Sequence, residues 1–190
     1  FYFFNIVDNL PEDFPYIAAT YYPGGNGCGN VFAYFSKDQP FRRLDSFCSY
    51  SSPKFVPPIG DGLPGLIREH VFWPSWTSSA GRLQISYIAL PGERSFFPDP
   101  ELTRINFGPT HNESLKIADS IRQHFDLRGK TLDEIIKLSL SLALSGRPKF
   151  AIEMMERAWS SEIKHGSEWK EIANEIKAIH LAISPKGKLV

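Results

Sequence analysis

Thirteen of the fifteen prolines fall at or before Pro109, and this asymmetry limits the possible folds more than any other feature of the chain. A proline inside a helix removes a backbone donor and collides with the preceding turn. Long helices are therefore excluded from residues 1–109. The same stretch holds 22 of the 26 aromatic residues, which suit the pleated surface of a sheet. Residues 110–190 carry the long helical patterns instead. Strands first and helices after point to an α+β fold rather than alternating βαβ units. The expectation is a small, aromatic-rich, mostly antiparallel β-sheet in residues 1–109, followed by a C-terminal four-helix sub-bundle in residues 110–190, the two packed as one unit.

Within the first part, residues 1–7 are β-rich and nearly all apolar, which fits a buried strand. Residues 16–22 and 30–35 read as two more strands. The glycines and asparagine between them supply the positive φ that a hairpin turn requires. Residues 51–64 hold four prolines and two glycines and read as a loop without a strand. Residues 82–90 alternate most cleanly, with Leu83, Ile85, Tyr87 and Ala89 on one face and Gln84 and Ser86 on the other. Residues 102–107 read as a short strand.

Helices begin at Thr110, which forms a capping box with Glu113 and is followed by a stripe of Leu115, Ala118, Ile121 and Phe125. A second box, Thr131 with Glu134, is expected to open the next helix, which is apolar or small on nearly every face from Ile135 to Ser145. Gly146 can take the left-handed conformation that stops it, and Pro148 presets the first turn of its successor. There Phe150/Ala151, Met154/Met155 and Ala158/Trp159 recur every four residues and share a face. The last helix opens near Ser167, with a stripe of Trp169, Ile172, Ala173, Ile176, Ile179 and Ile183. The bundle is expected to abut the sheet or a partner, because the second helix has apolar surface to cover on several sides.

Residues 132–159 resemble one tetratricopeptide repeat. The resemblance rests on the small residue at the turn, the aromatic Phe150 four residues later, and the spaced alanines Ala151 and Ala158. It covers about one 34-residue period with no second copy, and stacked arrays need neighbours, so it implies a helical hairpin and not a peptide-binding solenoid.

Composition narrows the function. Lysines and arginines equal acids at 21 each, and residues 1–110 hold 8 basic against 10 acidic side chains. That balance gives no strong nucleic-acid signal, even beside abundant aromatics. No apolar run approaches the ~18 residues of a membrane helix, so membrane insertion is not expected. Residues 1–7 lack a basic leader and are too short for a signal peptide. The two cysteines, Cys28 and Cys48, fit either a disulfide or two thiols. A cytoplasmic protein is the working expectation, with a secreted one left open. No cofactor or metal is called for, and the oligomeric state is open.

Three features could carry chemistry. Cys28 lies between Gly27 and Gly29, where an open thiol and convergent backbone amides could serve as nucleophile and oxyanion site, given a base such as His70 or His111 oriented by Glu69 or Asn112. The segment faintly resembles the Cys-Gly-Asn segment of diaminopimelate epimerases and the cysteine turn of papain-like enzymes. It lacks the second cysteine motif of the former and the Cys-x-x-Cys-aromatic context of the latter. The competing reading is a hairpin turn with a small buried thiol. Asp61, Arg68, Glu69 and His70 form a polar cluster on the proline-rich loop, without a metal-binding spacing; a solvated turn with an Arg–Glu pair is the preferred reading. Phe72, Trp73 and Trp76, with Phe96 and Phe97, could form a stacking platform for a ligand or peptide, or plug the end of a β core. His124, His165 and His180 read as side chains on or beside helices. The leading expectation is a non-catalytic module that binds another protein through the aromatic loops or a helical face such as Met154/Met155. A cysteine-dependent hydrolase or transferase using Cys28 and a small-ligand domain using Trp73 and Trp76 are the alternatives.

Overall fold

The computed structural model describes residues 5–6, 10–12, 16–21, 30–37, 43–49, 54–57, 63–76, 82–92, 95–126, 130–160 and 165–183. Its elements run β1 (Asn5–Ile6), β2 (Tyr16–Tyr21), β3 (Asn30–Ser36), β4 (Arg43–Ser49), β5 (Lys54–Val56), β6 (Gly65–Phe72), β7 (Leu83–Pro91), β8 (Phe96–Pro98), α1 (Pro100–Asn106), α2 (His111–Gln123), α3 (Lys130–Leu144), α4 (Pro148–Ala158) and α5 (Ser167–Ile183). The fold is α+β. Its strands form two four-stranded sheets, ordered β1-β2-β3-β4 and β5-β6-β7-β8. The chain comprises two compact units, residues 1–67 with 89–97, and residues 68–88 with 98–190.

In the first unit, β2 and β3 pair antiparallel from Tyr16↔Ser36 to Tyr21↔Val31, the register expected of a hairpin around the glycine-rich segment. β4 extends this sheet on the other side of β3, with a register shift at Tyr34/Phe35. Ala18, Ala33 and Tyr34 are buried, and the Tyr34 ring meets Phe96 edge-on with centroids 4.8 Å apart. β5 pairs with β6 through Phe55↔Leu66. This corrects the expectation that residues 51–64 carry no strand. Lys54-Phe55-Val56 lies between prolines at an outer position of its sheet, where a proline without a donor disturbs no inner ladder.

The second unit is built around α3, which packs against α1, α2, α4 and α5. Its residues Leu132, Ile135, Ile136, Leu138, Leu140, Leu142, Ala143 and Leu144 are all buried, as a helix covered on several sides requires. Ala118 and Ile121 from α2, Met154, Met155 and Ala158 from α4, and Ile172, Ile176 and Ile179 from α5 join the same core. Phe72, Leu83 and Ile85 add strand residues to it, so the helices do abut strands. Asp119 on α2 holds Arg157 on α4 through two hydrogen bonds of 2.6 and 2.9 Å. No helix among the described residues is long and apolar enough to cross a membrane.

Two helix starts depart from expectation. Residues 102–107 form most of α1 rather than a strand, because Asp99 caps the helix by accepting from Leu102 N at 2.8 Å and Pro100 occupies its first turn. The Thr131/Glu134 box is absent. α3 already includes Lys130, and the Thr131 hydroxyl instead bonds the backbone of Asp126, accepting from its N–H at 2.8 Å and donating to its carbonyl at 2.9 Å. The Thr110/Glu113 box is complete in both directions.

Candidate functional site

The turn between α3 and α4 shapes a groove on the helical unit. Gly146 adopts φ 75°, its N–H bonds Ala143 O, and Arg147 N–H reaches back to Leu142 O, each at 3.0 Å. This paired closure ends α3 abruptly and lets Pro148 start α4 without a missing donor. The Met154/Met155 face then turns into the core, leaving Phe150 and Ile152 at its margin. These two residues, with Pro148 and with Ile176 from α5, form the apolar part of a groove of about 580 Å³. Arg147, Lys149, Lys177 and His180 make up its polar part, and among the described residues no carboxylate lines it.

Arg147 is anchored at its base. One guanidinium nitrogen donates to Pro109 O at 2.8 Å, and the group lies 6.0 Å from the centre of the Phe150 ring. Phe150 also stacks with His111, centroids 4.6 Å apart and planes 16° apart. Among the described residues no carboxylate lies within 4 Å of Arg147. Desolvation by burial, with the nearby Arg104 charge added, pulls the Arg147 pKa below its usual value. Its positive charge is therefore under-compensated.

A second, smaller cavity of about 280 Å³ lies elsewhere in this unit, lined by His70, Tyr87, Leu144, Glu175 and Ile179 among others. His70 Nε2 and Glu175 Oε1 approach to 2.8 Å across its edge, an ion-pair distance when the imidazole is protonated. Glu175 is the neighbour that sequence reasoning missed. It sits more than a hundred positions from His70, and nothing local marks it.

The predicted site residues are dispersed. Arg68, Glu69 and His70 lie on β6 rather than on a loop, since residues 65–72 continue the sheet ladder. Asp61, Gly27, Cys28 and Gly29 lie outside the described residues. His111 is exposed in the first turn of α2, engaged with Phe150. Phe72 and Phe96 are buried and Phe97 is half-buried. Trp76 packs against the helical core, whereas Trp73 is 56% exposed. The turn carrying them is fastened to α5 by Ser75, whose N–H and hydroxyl donate to the Glu171 carboxylate at 2.8 and 2.6 Å. Among the described residues no three His, Cys, Asp or Glu side chains converge as metal ligands.

The fold and site define an α+β protein with an open apolar and basic groove on its helical part. Searches of protein-family models, of curated proteins and of solved structures find no match to this chain.

Proposed function

We propose that the chain is a non-catalytic protein-interaction module that receives its partner in the groove beside the α4 start and α5. The observation that carries this reading is the groove itself. It is a concavity of about 580 Å³ at which Phe150 and Ile152 stay half-buried, while Met154, Met155, Ile172 and Ile179 of the same helices turn inward. Apolar surface left open at a rim of charge is the usual mark of a binding face. A photoreactive amino acid placed at Ile152 and, separately, at the exposed Gln123 on α2 tests it in the protein's own cells. The reading expects a discrete protein adduct from position 152 alone. Equal labelling from both positions, or none from 152, overturns it.

A second reading, a small-ligand domain, is favoured by the His70–Glu175 pair at the edge of the smaller cavity. A ligand seated there would raise the melting temperature of the parent chain and not that of His70→Gln. Equal shifts in both would remove it.

A further inference from the structure

We infer that the occupant of the α4/α5 groove is an acidic segment of a partner protein, its apolar side chains against Phe150 and Ile152 and its carboxylates paired with Arg147, Lys149 and Lys177. The inference rests on the interaction reading and adds the chemistry of the partner. Charge complementarity carries it. Three permanent cations flank the groove, and among the described residues no carboxylate lines it and none pairs with Arg147. Lys149 and Lys177 are exposed, so they can reach incoming carboxylates without leaving a structural partner. The cations come from two helices, so a single carboxylate cannot satisfy them all. A segment bearing several Asp or Glu can. This disfavours a fatty acid, which has one charged group. The apolar lining disfavours a nucleic-acid backbone, whose phosphates bring no aliphatic contact. A concave groove also suits an inserted chain segment better than a flat lipid surface.

The test measures fluorescence anisotropy of three labelled peptides that share leucine and phenylalanine anchors and differ in carrying aspartate and glutamate, glutamine, or lysine between them. The acidic peptide should bind the full chain most tightly. The double variant Lys149→Glu/Lys177→Glu changes only exposed side chains and should weaken that binding by about tenfold or more, as expected for lost charged hydrogen bonds. The same variant should gain affinity for the lysine peptide. Ile152→Asp, checked for folding by circular dichroism, should abolish binding of the acidic peptide.

Equal binding of the acidic and glutamine peptides, with sensitivity to Ile152→Asp, overturns the acidic assignment and leaves the interaction reading standing. Acidic-peptide binding that survives both variants places the contact elsewhere and overturns the inference. So does a groove that takes laurate, anionic phosphatidylserine vesicles or single-stranded RNA in preference to any peptide. Self-association that is abolished by Ile152→Asp would assign the groove to a second copy. Failure of every peptide, together with no adduct from position 152, would remove the interaction reading itself.

Discussion

Two single residues, Gly146 and Thr103, hold positions where a small change in the side chain is costly. Gly146 has φ 75°, and a Cβ there would stand 3.0 Å from Pro100 Cβ. The left-handed conformation alone costs a non-glycine residue roughly 1–2 kcal/mol. Gly146→Ala should lower stability by at least about that amount, read as a fall in the urea midpoint at unchanged slope. Thr103 is a different case, for its role is polar. Its buried hydroxyl accepts from Ile88 N–H at 2.9 Å and donates to Asp99 O at 2.6 Å, so one side chain satisfies a strand amide and fastens α1. Thr103→Val keeps the shape and orphans the amide, which should cost about 1–3 kcal/mol in the same measurement. Thr103→Ser should restore most of the loss. The link to Ile88 does not show in local sequence, because it spans fifteen positions.

Elements were legible where their own residues decide them. The Thr110 box, the stripes of α2, α4 and α5, and the Gly146–Pro148 turn all follow from spacing within one or two helical turns. The β-patterned 102–107 segment was misread because cap chemistry at Asp99 and Pro100 outweighs the weak strand preference of Leu-Thr-Arg-Ile-Asn-Phe. β6 was missed because its burial does not alternate regularly, which removes the period-two signal. Electrostatics add a testable property of α2. The Thr110 hydroxyl and N–H donate to Glu113 and hold its pKa below the usual 4.5. The Arg157 hydrogen bonds hold Asp119 below the usual 3.8. A carboxylate whose pKa is depressed by folding binds fewer protons folded than unfolded, so its contribution is complete above the unfolded value and lost as pH falls through the folded one. Stability should therefore decline below about pH 4.5, and Glu113→Gln should flatten the upper part of that decline, as followed by urea unfolding at stepped pH. An unchanged slope would show that the box does not survive in solution.

At the scale of the molecule, the question is which features a chain can advertise locally and which arise only from assembly. The buried centre of the helical part was visible early, since an all-apolar helix has to be enclosed, and α3 does pack against four others. The groove was not visible. Phe150 and Lys177 lie on different helices, and Phe150 belongs to a stripe whose other members enter the core. What makes them a site is that α4 and α5 stop covering one another there, a property of packing that periodicity does not encode. The same packing makes stability depend on α3 more than on any peripheral helix. Leu140 is fully buried in the middle of α3. Leu140→Ala should cost about 2–5 kcal/mol, set by how far the surrounding helices can collapse into the void. That is a large share of the roughly 5–15 kcal/mol available to an ordinary domain. Ile105→Ala on the exposed side of α1 is the control and should change stability by less than about 0.5 kcal/mol. Trp159 and Trp169, one in the core and one against it, report the transition by their fluorescence. Similar losses at the two positions would mean that α3 is not the centre of this core.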